Sequence, residues 1–169
     1  MKGKSLALRI FAMIFSALTF IVFALDYVAL IISGGGESET AGISWADWAD
    51  ALSKTSAEEF TWFKIAQVMV IIAVILAGII IVAAILQLFL KHKAIDLVAK
   101  IAGIVLIVVS ILVLVFSILG TIATATSVDF GIASMSSLYF PSFGAFYITI
   151  IGLVAGILGL KCGKAPKKK

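Results

Sequence analysis

The stretch that decides the fold is residues 10–32, IFAMIFSALTFIVFALDYVALII. It is apolar over nearly its whole length and exceeds the roughly 18 residues that a spanning helix needs. Asp26 is set into it, the only Asp or Glu inside a long hydrophobic run of this chain. Read as a helix, the stretch is the first of four crossings, and the other three can be placed against it.

Composition supports that reading. The chain is 63% hydrophobic with a mean hydropathy of +1.24, whereas a soluble domain is about half apolar. The second run, 65–90, has only Gln67 and Gln87 as polar positions. A helix apolar all round is either deeply buried or in lipid, and 169 residues cannot bury four such helices on every side. One cysteine, Cys162, excludes an intramolecular disulfide, and one histidine, His92, argues against a histidine metal site. Without a single Asn there is no N-glycosylation sequon. The fold class expected is an all-α membrane protein: an antiparallel bundle of four transmembrane helices with a short interfacial helix in its first outer loop.

Residues 1–9 carry Lys2, Lys4 and Arg9 ahead of the first crossing, 10–32. The apolar run is too long for a cleaved signal peptide, so a retained signal-anchor helix is expected. Ser33-Gly34-Gly35-Gly36 should break that helix and open the first outer loop, 33–56. Within the loop, residues 44–53 predict an amphipathic helix. Ser44 and Asp47 suit a capping box, and Ile43 and Trp48 a hydrophobic staple. Trp45, Trp48, Ala49 and Leu52 share one face. With Trp62, the residues Trp45, Trp48 and Leu52 are the candidate interfacial contacts, with tryptophans at headgroup level.

Ser56-Ala57-Glu58-Glu59 reads as a second capping box, starting a crossing over 57–90 that extends outward. At 1.5 Å per residue that helix would reach roughly 50 Å, more than the ~30 Å hydrocarbon core. The turn 91–100 is short and basic, and makes the second and third helices antiparallel neighbours. The third crossing is 101–123. The second outer loop, 124–143, is rich in small polar residues and aromatics (Phe130, Tyr139, Phe140, Phe143), and Asp129-Phe130-Gly131 within it matches the kinase metal-binding tripeptide by coincidence. The fourth crossing, 144–160, contains Gly152-Leu-Val-Ala-Gly156 with Gly159 one turn on. Gly152, Gly156 and Gly159 are the candidate helix-packing stripe, since small residues admit a neighbouring helix closely. Residues 161–169 form a basic tail, with Cys162 where palmitoylation occurs.

Charge orients the chain. Segments 1–9, 91–100 and 161–169 hold eleven of the thirteen Lys and Arg and a single acid, Asp96, while 33–64 and 124–143 hold two lysines and seven acids. The asymmetry places both termini and the middle turn in the cytoplasm, with the two larger loops outside, in the plasma membrane. The net charge of +4 is thus a topology signal that suits anionic lipid, and nucleic acid is not an expected partner.

Four crossings, cytoplasmic ends and a larger, tryptophan-bearing first loop resemble the layout of four-pass proteins of the claudin-like and MARVEL-type families. The resemblance spans the whole chain as layout. Claudin-like proteins carry a Trp, Gly-Leu-Trp and paired-cysteine signature in that loop. Trp45-Ala-Asp-Trp48 stands here without the Gly-Leu-Trp and without cysteines, so no residue role is carried over.

The function expected is non-enzymatic: contact with the bilayer and with a membrane-protein partner or further copies of the chain, as scaffold or accessory subunit, without cofactor or metal. General acid–base chemistry has almost no candidates in the helices. The alternative is a small channel or transporter subunit using Asp26. Measured from Arg9, Asp26 would sit about 25 Å up the helix, in a polar layer with Lys64, Gln67, Ser117 and Tyr147. That layer is the candidate intramembrane polar site.

Overall fold

The opening run does not continue as one helix. The computed structural model describes residues 2–34, 37–90, 92–129 and 134–162. In it, α1 (Lys2–Leu18) tightens into a 3-10 turn over Thr19–Ala24 and then gives way to a strand, β1 (Asp26–Gly34). Thr19 donates its hydroxyl to the Ser16 carbonyl at 2.6 Å, a local bond that competes with the helical ladder where α1 ends. Beyond it, Tyr27, Val28, Ile31 and Ile32 supply the aromatic and β-branched side chains that suit a pleated surface. The expected first crossing over 10–32 is therefore corrected: the apolar helical part is Leu6–Ala24. A continuous apolar run cannot distinguish a helix from a buried strand by periodicity.

The remaining elements are β2 (Glu37–Ser44), α2 (Trp45–Lys54), a 3-10 turn at Glu58–Phe60, α3 (Thr61–Phe89), α4 (Lys93–Thr124), β3 (Thr126–Asp129), β4 (Ser134–Pro141) and α5 (Phe143–Cys162). Among the described residues four helical segments are long and apolar enough to cross a membrane: Leu6–Ala24, Glu58–Phe89, Lys93–Thr124 and Phe143–Cys162. The chain is mostly helical, in keeping with the all-α expectation, and carries in addition a small four-stranded sheet of order β2-β1-β4-β3, antiparallel throughout. The second loop, 124–143, supplies β3 and β4. The triple-glycine break falls partly, and Phe130, Gly131 and most of the basic tail wholly, outside the described residues.

The chain divides into two compact units. One comprises residues 1–21, 69–111 and 148–169, and its described part is helical apart from Leu90 and His92 between α3 and α4. Its α4 and α5 meet backbone to backbone: a Cβ on Gly103 would lie 2.6 Å from the Gly156 carbonyl oxygen and 2.5 Å from the Leu160 nitrogen. Arg9 donates to the Gln87 carbonyl at 2.7 Å, and the Gln87 amide donates to Asp96 at 3.0 Å. This charge-assisted chain ties α1, α3 and α4 together at their polar ends.

The other unit comprises 22–68 and 112–147 and holds the sheet and α2. Ser44 caps α2 as its sequence suggests, accepting from the Asp47 amide and donating to the Asp47 carboxylate at 2.7 Å. The second capping box does not form. Ala57 is the cap residue and makes no side-chain cap bond. The Thr55 hydroxyl accepts the Ala57 amide instead, and its carbonyl takes the Lys64 ammonium at 2.5 Å.

Candidate functional site

The sheet unit is built on β1. Its register against β2 shifts between Asp26 and Val28, a bulge that bends the strand and re-aims a side chain. Tyr27, at the bulge, is fully buried, and its hydroxyl lies 3.3 Å from the Ser117 hydroxyl on α4. Burial holds the Tyr27 phenol far above its ordinary pKa, with the Ser117 contact offsetting part of the rise.

Around Tyr27 the apolar face of α2 meets an aromatic core. Trp45 packs edge-on against Tyr27 and Phe23, with ring centroids at 5.0 and 5.6 Å. Trp48 meets Phe63 at 5.2 Å, Tyr139 of β4 at 5.4 Å and Phe60 at 6.2 Å. Edge-to-face contacts of this kind contribute beyond their buried area. Gly120 leaves room for the Phe63 ring, which a Cβ there would approach to 2.7 Å. Trp45, Trp48 and Leu52 are thus buried within the protein. Their face is taken up by the chain's own aromatics, which corrects the expectation that α2 offers it to the membrane surface. Trp62 alone of those four candidates is exposed, stacked on Phe116 at 5.9 Å.

Each of the five residues of the expected polar layer has its own surroundings. Asp26 heads β1, exposed, with its carboxylate over Gly42. Lys64 is engaged with Thr55, and Ser117 with Tyr27. Tyr147 lies beside Phe143, ring centroids 6.0 Å apart, and Gln67 is half-buried on α3. Asp26 stands in a strand because the helix of which it was to be the buried acid has ended two residues earlier.

The glycines fall into close contacts. Gly152 faces Ser110 and Gly156 faces Gly103 and Ile107, all on α4, while Gly159 faces Ile80 of α3. Gly103, the backbone partner of Gly156, ends a small-residue spacing of its own, Ala99-Lys-Ile-Ala-Gly103, a weaker signal than the paired glycines of α5. Among the described residues no three of His, Cys, Asp and Glu are grouped to hold a metal ion.

Strand β2 lies at one edge of the sheet. It pairs only with β1, so its other edge is unpaired among the described residues. Residues 37–42 are exposed, and Glu37 and Glu39 stand on that strand. The opposite edge, β3, has four residues. An open edge presents a row of N–H and C=O groups to any strand that can pair with it.

No family model, curated protein or solved structure matches this chain.

Proposed function

We propose that the protein is a non-enzymatic integral membrane protein whose four apolar helices cross the plasma membrane. In this reading both termini are cytoplasmic and the sheet-bearing loops face outward, where they act by contact as scaffold or accessory subunit. The observation that carries the contact role is the β2 edge, exposed and unpaired beside the fully paired β1. Strand addition to such an edge gives affinity through main-chain hydrogen bonds. Glu37 and Glu39 disfavour pairing of β2 with acidic strands, including a second β2.

Proline scanning tests this. In an antiparallel ladder, successive residues direct their N–H groups to opposite edges. Of Thr40→Pro and Ala41→Pro, one removes a bond to β1 and lowers stability. The other removes an outward N–H and leaves stability intact, since proline is tolerated at edges. The outward variant is expected to recover about five- to tenfold less of a cross-linked partner from membranes, the worth of a hydrogen bond near ~1 kcal/mol. Undiminished recovery by both variants would remove β2 from the contact.

A further inference from the structure

The open edge of β2 is acidic on both of its faces. Along a strand successive side chains point to opposite faces. Glu37 and Glu39, both exposed, therefore stand on one face of β2, and Gly42 belongs to the other. That second face takes its acid from the neighbouring strand. A Cβ on Gly42 would collide with the Asp26 carboxylate, so the Asp26 side chain reaches across from β1 and lies over the β2 backbone. Because Gly42 has no side chain, the carboxylate can rest there.

The cations of the sheet unit are engaged elsewhere. Its basic residues are Lys54 and Lys64. Lys54 pairs with Asp50 on α2, and Lys64 donates to the Thr55 carbonyl. Among the described residues Asp26, Glu37 and Glu39 take part in no ion pair. Beside these carboxylates runs the backbone row of β2, unpaired on its outer side among the described residues. A strand that pairs there is aligned by main-chain hydrogen bonds and meets the carboxylates at fixed positions. Opposite charges across a strand pair stabilise it, and like charges oppose it. A second copy of β2 would bring two more glutamates to the contact, so a strand of opposite charge fits the edge.

We propose that the β2 edge binds a basic strand of a partner protein, antiparallel, with arginine or lysine opposite Glu37, Glu39 and Gly42. The inference rests on the edge-contact reading above and names the partner's chemistry. Every pairing within the sheet is antiparallel, and that arrangement is the more stable per residue. The three positions then read basic-x-x-basic-x-basic from the partner's N-terminus. The spacers fall opposite Ala41, Thr40 and Ser38, where valine and threonine pair well. The basic residue opposite Gly42 projects on the face where the Asp26 carboxylate lies. The chain's own basic segments, 1–9, 91–100 and 161–169, are across the membrane from β2 in the proposed topology, so the strand comes from another protein.

Fluorescence anisotropy of a labelled peptide, Arg-Val-Thr-Arg-Thr-Arg, titrated with the full chain in non-ionic detergent tests it. The wild type is expected to bind this peptide about tenfold or more tighter than Glu-Val-Thr-Glu-Thr-Glu. Glu37→Gln with Glu39→Gln should weaken the arginine peptide about fivefold, and Asp26→Asn about twofold, the worth of two and of one cross-strand charge pair. Arg-Pro-Thr-Arg-Pro-Arg keeps the charges and their spacing but cannot form the ladder, and should bind about tenfold weaker. Equal binding of the arginine and glutamate peptides would overturn the proposal, as would full affinity in both acid variants. So would equal binding of the proline-bearing peptide, since the attraction would then be diffuse charge and not strand addition. The proline variants of β2 separate the two readings. If the outward variant loses the cross-linked partner while the arginine and glutamate peptides bind alike, only the basic strand is overturned. If neither proline variant loses the partner, both readings are overturned.

Discussion

Trp48→Ala is expected to cost about 3–5 kcal/mol of stability, the range for truncating a large buried aromatic. Trp48 is 3% exposed and its ring meets Phe60, Phe63 and Tyr139. Those rings come from the turn before α3, from α3 itself and from β4, so one indole joins α2 to three other parts of the sheet unit. Its removal leaves a cavity whose walls are aromatic and cannot collapse readily. Equilibrium unfolding of the detergent-solubilised protein, followed by near-ultraviolet circular dichroism, should show the loss together with a weakened aromatic signal. Trp62→Ala is the matched control. Trp62 is 39% exposed and touches one ring, Phe116, so its loss should stay within about 1 kcal/mol. Equal losses for the two variants would mean that Trp48 does not occupy the centre of the core.

The second large effect separates two glycines of the helical unit. At Gly103 a Cβ would lie 2.5 Å from the Leu160 nitrogen and 2.6 Å from the Gly156 carbonyl oxygen. These are backbone atoms, so the clash is relieved only by moving α4 and α5 apart. Gly103→Leu should cost about 3 kcal/mol or more, at or beyond the upper end for overpacking, and Gly103→Ala should already destabilise. Gly78→Ala should do the opposite and gain up to about 1 kcal/mol, because its Cβ meets nothing and alanine restricts the unfolded chain. Thermal midpoints of the two alanine variants, measured side by side, should therefore move in opposite directions. A shift of the same sign would refute the close approach at Gly103.

These two sites show why parts of the molecule were readable in the sequence and others were not. Helix termini carry local chemistry, so Ser44 and Asp47 mark the start of α2 from four residues alone. Long apolar runs likewise mark α3, α4 and α5. The face joining Trp45, Trp48 and Leu52 was visible by spacing, but what covers it was not. The rings of Tyr27, Phe63 and Tyr139 reach that face through pairings distant in sequence. Strand β1 was hidden for a different reason. Its residues 27–32 are uniformly apolar, and they follow a helix without a Gly or Pro to mark the change. Asp26 was the visible irregularity there, and it marks the start of the strand. Similarly, Ser56 fits a capping box by composition, yet the cap depends on backbone geometry that Thr55 and Lys64 arrange differently. Gly103 stands four residues after Ala99, a spacing legible in the sequence, but the α5 backbone it meets is visible only in the fold.

In the proposed topology the chain spans a membrane with its sheet-bearing loops outside and its basic turn in the cytoplasm. Single-cysteine labelling tests this most directly. In a Cys162→Ser background, Ser38→Cys places an exposed thiol on β2, and Lys100→Cys places one on α4 near the basic turn. A membrane-impermeant maleimide applied to intact cells is predicted to label Ser38→Cys fully and to label Lys100→Cys only after permeabilisation. Labelling of both in intact cells, or protection of both until permeabilisation, would contradict the account.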